Sequence, residues 1–159
     1  MGSTYHSLYY HLFFHTKYNR PLINKAWQER LHAYMAGCVR KDRGTLIAIG
    51  GVADHVHLLV RLTPSHSVAD HMRKVKSASS RWVHEELKIL DFGWQDGYTA
   101  LSVNTSRVSI VKQYVLTQEE HHRSKTIRDE LIEFLEANRI AYEQRFLPDQ
   151  PPLQGGRFK

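Results

Sequence analysis

The sequence contains a single cysteine, Cys38, and no long hydrophobic run. One thiol cannot form an internal disulfide, which is typical of a protein from a reducing cytoplasm. No apolar segment approaches the roughly 20 residues that a membrane-spanning helix needs. With 159 residues, of which 42% are hydrophobic, the chain can bury a core without disulfides or a structural metal. These absences exclude a disulfide-rich secreted scaffold and a helical membrane protein, and they favour a soluble globular domain.

Acidic residues are also scarce relative to basic ones. The chain has 22 Lys and Arg against 16 Asp and Glu, so its formal net charge is +6. A positive surface favours a polyanionic partner such as nucleic acid. Charge alone does not identify that partner, because many basic proteins bind no nucleic acid.

Periodicity and turn signals predict the order strand, helix, strand, strand, helix, strand. The predicted strands cover 5–16, 45–52, 55–62 and part of 94–102, and the predicted helices cover 24–41, 67–88, a third segment from 104–106 to about 123, and 126–143. This order is the split βαβ pattern of ferredoxin-like (RRM-like) domains. We therefore expect one α+β domain over residues 1–147, with an antiparallel sheet that carries helices on one face. The Pro/Gly-rich tail over 148–159 is predicted to be disordered.

Two histidines stand out on the predicted third strand, where residues 54–60 read Asp-His-Val-His-Leu-Leu-Val. Alternation along a strand sends His55 and His57 to one face and the intervening Val and Leu side chains to the other. If the Val/Leu face meets the helices, the histidine face should be open to a ligand or a partner. Two imidazoles on a rigid element suit one metal ion. A His-x-His pair by itself is also common in proteins that bind no metal.

A second set of polar side chains lies about sixty residues further on. Tyr114 and Gln118 are four apart, so they share a face of the predicted third helix. Together with His55 and His57, Gln118 offers neutral nitrogen and oxygen ligands that would leave positions on a divalent ion open for a phosphate oxygen. A tyrosine near such an ion is an adequate nucleophile. The alternative is that Tyr114 lies at the margin of a core-facing valine stripe on the same helix.

The combination resembles the single-tyrosine HUH transposases of insertion sequences, the TnpA-type enzymes that include the REP-associated tyrosine transposases. Their HUH motif (His, bulky apolar residue, His) is similar to residues 55–57. The segments that carry the rest of the resemblance are 5–6, 16–18, 20–22, 94–98, 102–103, and Tyr114 with 118–122. The resemblance extends over nearly all of 5–143 and is far more specific than any one motif.

The resemblance implies a metal-dependent enzyme that cleaves and rejoins single-stranded DNA. Tyr114, on a C-terminal helix, would attack a phosphodiester and leave a 5′-phosphotyrosine link and a free 3′-hydroxyl. His55, His57 and Gln118 would bind Mg²⁺ or Mn²⁺. The resemblance also implies DNA ends that form imperfect hairpins, and a homodimer in which the tyrosine helix of one subunit completes the histidine site of the other. Its expected location is the cytoplasm of a bacterial or archaeal cell, in association with the nucleoid.

Basic side chains at two places are predicted to contact DNA. Lys17 and Arg20 follow the first strand at positions that match the family, and the predicted second helix carries Arg73, Lys74, Lys76 and Arg81 with serines between them. Ammonium, guanidinium and hydroxyl groups in such a mixture can hold a phosphate backbone. A solvated helix face explains the second group equally well.

Three neighbouring residues are given no catalytic role at this point. Asp54 could orient a histidine, but the turn between two strands explains it better. His121 and His122 could assist proton transfer or contact DNA. A position near a helix C-terminus, where a cationic histidine is favoured, explains them as well.

Three other functions remain open. A domesticated relative would perform the same cleavage on host palindromes, and short hairpins flanking the gene would help to separate the two cases. A non-catalytic nucleic-acid-binding module would have no reason to carry His55, His57, Tyr114 and Gln118 together. A metallohydrolase with His-x-His on a barrel strand would need about 250 residues, which this chain lacks.

Overall fold

The computed structural model describes residues 2–148 of the chain. Its elements are β1 (Leu8–His15), α1 (Lys25–Lys41), β2 (Thr45–Val52), β3 (His55–Leu62), α2 (Val68–Glu86), β4 (Thr99–Val103), α3 (Val108–Leu116), α4 (Gln118–His121) and α5 (Ile127–Ala137). Of the predicted disordered tail over 148–159, all but the first residue lies outside the described residues. Within 2–148, no helix is both long and apolar enough to cross a membrane.

The four strands form one antiparallel sheet in the order β2-β3-β1-β4. Strand β1, one of the two central strands, pairs with β3 over its whole length, so that His15 lies opposite His55 and Phe13 opposite His57. Its other edge pairs with β4, from Tyr9 opposite Val103 onward. This is the ferredoxin-like topology, and the predicted α+β fold is confirmed.

Helices α1 and α2 pack on one face of the sheet and form the main core with it. That core takes Val56, Leu58, Val60 and Leu62 from β3, together with Leu12 and Phe14 from β1, Leu31 and Met35 from α1, and Val75 and Val83 from α2. Side chains of β3 therefore alternate as the sequence predicts, with the apolar set towards the helices.

The opposite face of the sheet is covered as well, so the expectation of an open histidine face is wrong. Helix α3 lies against β2 and β3, and its Val115 forms a second small core with Ala48 and Leu59. His55 and His57 consequently have no exposed surface. The physical reason is that the apolar side chains of α3 need a surface to pack against, and this sheet face provides one.

Two predicted helices are shorter in the structure than in the sequence pattern. The third predicted helix ends at Leu116, because Thr117 leaves helical geometry and its hydroxyl donates to the carbonyl of Gln113. The short α4 then follows. Helix α5 ends at Ala137 instead of continuing to 143, since Arg139 adopts a left-handed φ of 54°.

Candidate active site

The two histidines of β3 are held by partners at their Nδ1 atoms. His55 Nδ1 lies 2.6 Å from a carboxylate oxygen of Asp54, in the turn that precedes the strand. His57 Nδ1 lies 2.7 Å from Nε2 of His11 on the neighbouring strand β1. Because both Nδ1 atoms have partners, both Nε2 atoms are directed into the space between the sheet and the C-terminal helices. Asp54 thus orients a histidine in addition to forming the turn.

Burial favours the neutral forms of His57 and His11. It lowers the pKa of His57 to about 4, although the neighbouring Glu130 carboxylate acts in the opposite direction. Burial, together with the proximity of His57, lowers the pKa of His11 to about 3. A neutral imidazole is the form that can donate a lone pair to a metal.

The predicted tyrosine and glutamine lie next to this pair in the same chain. The rings of Tyr114 and His57 have centroids 5.8 Å apart. The amide nitrogen of Gln118 donates to the backbone carbonyl of Tyr114, at 3.0 Å. This fixes the amide orientation, so that Gln118 Oε1 lies 3.3 Å from His55 Nε2. All four residues predicted from the sequence therefore converge, and their chemical roles stay predictions.

Glu130, on α5, lies at the centre of the cluster and was not predicted. Its side chain is buried, with Oε1 2.8 Å from His57 Nε2, while Oε2 accepts a hydrogen bond from the hydroxyl of Tyr114. A signal for it exists in the sequence, because this charged residue shares the inward face of α5 with Ile127 and Phe134 at spacings of three and four. A carboxylate on the buried face of a helix needs a partner.

His122 is the second member of the cluster that the sequence analysis did not predict as a site residue. It directly follows α4, and its Nε2 lies 3.1 Å from Glu130 Oε2 and 3.2 Å from Gln118 Oε1. The ligand atoms of His55, His57, His122 and Glu130 all lie within 4.8 Å of one another. These four residues could hold a metal ion.

Charges at the cluster are strongly coupled. Burial alone would raise the pKa of the Glu130 carboxyl, but the neighbouring imidazoles of His122 and His57 outweigh it and hold this pKa far below its usual range. Burial favours neutral His122, yet the same carboxylate raises its pKa. Burial and the Glu130 carboxylate raise the pKa of Tyr114 well above the ordinary phenol value. Without further positive charge, Tyr114 keeps its proton.

Four of the predicted DNA-contacting residues line one cavity of about 640 Å³, on the α2 side of the sheet. They are Lys17, Arg20, Arg73 and Lys76. Lys76 donates to the carbonyls of Gln95, Asp96 and Gly97 and thereby holds the loop before β4. Its ammonium is therefore largely committed to the protein, whereas Lys17 and Arg73 are exposed.

The other two predicted DNA contacts lie outside this cavity. Lys74 pairs with the carboxylate of Asp42 at 2.7 Å, at the end of α1. Arg81 is exposed further along α2 and is not among the residues that line the cavity. The six basic residues therefore do not all line one cavity.

Comparison with known proteins places this geometry in a family. The family model described as "Transposase IS200 like" matches residues 4–118. The ISDra2 transposase TnpA of Deinococcus radiodurans is 25% identical over 121 residues, covering 72% of this chain and 86% of the relative.

Two solved structures share the fold. One is a Deinococcus radiodurans protein described as a transposase, with a TM-score of 0.61 and 26% identity over 72% of this chain and 94% of the other. The second is a REP-associated tyrosine transposase bound to a REP hairpin, with a TM-score of 0.53 and 12% identity over 72% of this chain and 70% of that one. At this low identity the second likeness shows the fold alone.

The family match contains His55, His57, Tyr114 and Gln118, and it ends before Glu130. It covers well over half of the chain, and the convergence of those four residues is what the resemblance implied. The chain belongs to the IS200-like transposases, a family of DNA strand-transferring enzymes.

Proposed function

We propose that this protein is a metal-dependent transposase that cleaves and rejoins single-stranded DNA through a 5′-phosphotyrosine intermediate. The observation that carries the proposal is the meeting of Tyr114 with His57 and Gln118 in one cluster, in which the Tyr114 hydroxyl donates to the buried carboxylate of Glu130. These groups come from a strand and from two separate C-terminal helices. The arrangement would be an unusual outcome of packing alone, since buried polar side chains are costly to collect in one place.

The donor set fits a divalent cation such as Mg²⁺ or Mn²⁺. His55 and His57 direct their Nε2 atoms into the cluster, and Gln118 presents an amide oxygen fixed by its bond to the backbone. When bound, such an ion would polarise the scissile phosphate and favour loss of the phenol proton. Because the pKa of Tyr114 is raised, the phenol stays protonated in the cluster without metal, and the positive charge of a bound ion would lower that pKa.

Tyr114 is the nucleophile in this proposal. Its phenolic oxygen loses its proton and forms a bond to phosphorus while the bond from phosphorus to the 3′-oxygen breaks, and the departing oxygen takes up one proton to leave as a 3′-hydroxyl. Glu130 Oε2 is the acceptor that faces the phenol proton. The phosphotyrosine ester conserves the energy of the phosphodiester, so the same site can rejoin the strand.

The cavity beside α2 is the proposed contact surface for the DNA. Lys17, Arg20 and Arg73 line it together with the exposed ring of Tyr18. Basic groups beside an exposed aromatic ring suit an unpaired nucleotide, by phosphate contact and base stacking. Lys74, Lys76 and Arg81 are proposed as further contacts of lower importance, since the first two already bind protein atoms. Hairpin ends are proposed as the substrate because the family resemblance implies them; the REP-associated relative with this fold is itself bound to a REP hairpin.

A homodimer in the cytoplasm, associated with the nucleoid, completes the proposal. Two placements of the tyrosine helix are compatible with a dimer. In one, Tyr114 acts at the histidine site of its own chain, and its hydrogen bond to Glu130 of that chain supports this placement. In the other, α3 leaves this position and places Tyr114 at the histidine site of the partner subunit.

The proposal is tested by forming the covalent adduct. A pool of single-stranded oligonucleotides with hairpin ends is incubated with the protein and Mg²⁺ or Mn²⁺, and adducts that survive SDS are counted. We expect an adduct with the natural sequence and with Tyr142→Phe, a tyrosine outside the cluster, and none with Tyr114→Phe. An adduct formed by Tyr114→Phe would refute the assignment of the nucleophile. A non-catalytic binding module would form no adduct with any substrate.

A further inference from the structure

We propose that Glu130 and His122 are ligands of the same divalent cation as His55, His57 and Gln118. The inference rests on the proposed function, because it extends the metal site named there. It gives a set of three imidazole nitrogens, one amide oxygen and one carboxylate oxygen. Both added residues lie beyond the part of the chain that the family model matches.

The hydrogen bonds of two histidines show which ring nitrogen carries the proton. His55 Nδ1 faces the Asp54 carboxylate at 2.6 Å, and His122 Nδ1 faces the backbone carbonyl of Lys125 at 2.7 Å. Carboxylate and carbonyl oxygens only accept, so each Nδ1 carries the proton of its ring. In a neutral ring, Nε2 then holds a lone pair and no proton.

These Nε2 lone pairs point at other lone pairs. Gln118 Oε1 lies 3.3 Å from His55 Nε2 and 3.2 Å from His122 Nε2. The amide cannot turn its nitrogen inwards, because that nitrogen donates to the carbonyl of Tyr114. Glu130 adds carboxylate oxygens at 3.5 Å from His55 Nε2 and 3.1 Å from His122 Nε2.

Positive charge between these atoms makes the arrangement favourable. One source is an extra proton on each of the two rings, which would place two imidazolium ions side by side in a buried cluster. The other is one divalent cation that accepts a lone pair from every group. A single cation satisfies all the donors at once and avoids two neighbouring buried charges of the same sign.

The spacing of the donors agrees with such an ion. Adjacent ligands of an octahedral ion with bonds of about 2.1 Å lie about 3 Å apart, and opposite ligands about 4.2 Å. The contacts of Glu130 with His57 and His122 are 2.8 Å and 3.1 Å, and the ligand atoms of the three histidines and Glu130 stay within 4.8 Å. The ion would therefore bind with little movement of the side chains.

The enlarged ligand set has two consequences. Three imidazoles favour Mn²⁺ and the later divalent ions over Mg²⁺, because nitrogen ligands suit transition metals better. Since Glu130 belongs to α5, metal binding would also hold that helix in place over the histidine face. A site made of His55, His57 and Gln118 alone would prefer transition metals less strongly and would not hold α5.

Metal binding without DNA tests the proposal directly. Mn²⁺ is titrated into the natural sequence, Glu130→Gln and Glu136→Gln by calorimetry and by electron paramagnetic resonance of free Mn²⁺. We expect Glu130→Gln to weaken binding by at least about tenfold, since even the loss of groups that only orient ligands costs 10–100-fold. The control changes an exposed carboxylate of the same helix and should bind as the natural sequence does.

Two outcomes contradict different parts of the argument. Equal Mn²⁺ affinity in Glu130→Gln and the natural sequence would overturn this inference and leave the proposed transposase chemistry intact. An absence of any Mn²⁺ binding in the natural sequence would contradict the metal dependence of the proposed function as well.

Hydrogen exchange provides a measurement that does not depend on a variant folding correctly. In the natural sequence, Mn²⁺ should slow amide exchange over 127–137, because the ion would tie α5 to the sheet through Glu130. Exchange in α1, which lies on the other face, should stay unchanged. Unaltered exchange in α5 under saturating Mn²⁺ would overturn the inference.

Discussion

Asp42, at the end of α1, contacts several polar side chains. Its oxygens lie 2.7 Å from His71 Nδ1 and 2.7 Å from Lys74 Nζ, and its backbone carbonyl lies 2.6 Å from His66 Nε2. Burial favours the protonated form, but the hydrogen bonds from Lys74 and His71 outweigh it and lower the pKa of Asp42. The Lys74 ammonium already neutralises the carboxylate, so this group of side chains does not need a metal.

The first prediction is that Asp42→Asn destabilises the protein in a pH-dependent way. The folded-state pKa of Asp42 lies below its unfolded value of about 3.9, so its stabilisation is present above that pH and is lost as the pH falls through the folded pKa. At pH 7 the variant should lose about 1.5–3 kcal/mol of unfolding free energy, in keeping with a hydrogen bond to a charged group. Urea unfolding at pH 7 and pH 3.5 measures the difference, which should shrink at the lower pH.

Asp70→Asn is the matched control. Asp70 pairs with Arg73 at 3.7 Å, with both side chains mostly exposed, and such pairs contribute little. The control should behave like the natural sequence at both pH values. A loss in Asp42→Asn that is the same at pH 7 and pH 3.5 would mean that the charge of this residue does not stabilise the fold.

Helix α3 is the element that brings Tyr114 to the histidines, and its position depends on one glycine. A Cβ added to Gly50 of β2 would overlap the backbone carbonyl oxygen of Val115. The helix can lie this close to the sheet only because no side chain stands at that point. Val115 is fully buried on the other side of this contact.

The second prediction is that Gly50→Ala displaces α3. Because backbone atoms make the contact, the helix has to move, and we expect a loss of about 1–3 kcal/mol in unfolding free energy, typical of overpacking. Amide exchange in Val108–Leu116 should become faster, and the yield of the covalent DNA adduct should fall. Thermal unfolding, exchange and the adduct assay measure the three effects.

Gly37→Ala provides the comparison for that variant. Gly37 lies inside α1, and its nearest neighbour to an added Cβ is a flexible arginine side chain at 4.0 Å. Alanine should therefore stabilise the protein by about 0.5–1 kcal/mol through helix propensity. If Gly50→Ala were stabilising to a similar degree, α3 would not lie as close to β2 as the structure has it.

At the scale of the whole molecule, a single chain assembles the complete cluster. Strand β3 supplies the histidine pair, α3 and α4 supply Tyr114 and Gln118, and α5 supplies Glu130. The hydrogen bond between Tyr114 and Glu130 links α3 to α5 within one chain. A partner subunit is not required to unite these groups.

The third prediction concerns the sharing of sites in a dimer. Tyr114→Phe and His57→Ala, carrying different tags, are mixed, and heterodimers are purified and assayed for the covalent adduct. If each chain completes its own site, both sites of the heterodimer carry one defect, and we expect no recovery of activity. Recovery would show that α3 passes to the partner, as the family resemblance implies. Homodimers of each variant, assayed alongside, provide the background.

Local patterns in the sequence predicted the fold class, and together with the family resemblance they singled out four residues that the structure brings together. The alternation of residues 55–62 fixes which side chains of β3 face the core, and the spacing of four between Tyr114 and Gln118 places both on one side of the chain after β4. Both signals arise from backbone geometry over a few residues. The predicted α+β topology and the convergence of these four residues agree with the structure.

Tertiary packing determined how the histidine face is covered and which residues complete the cluster. It covered the histidine face with α3 and α5, and it brought Glu130 to His57 across a separation of 73 residues. The sequence pattern could mark Glu130 only as a charge on an apolar helix face. Which partner such a buried charge meets depends on how distant elements pack, because its free energy is set by neighbours that no local spacing specifies.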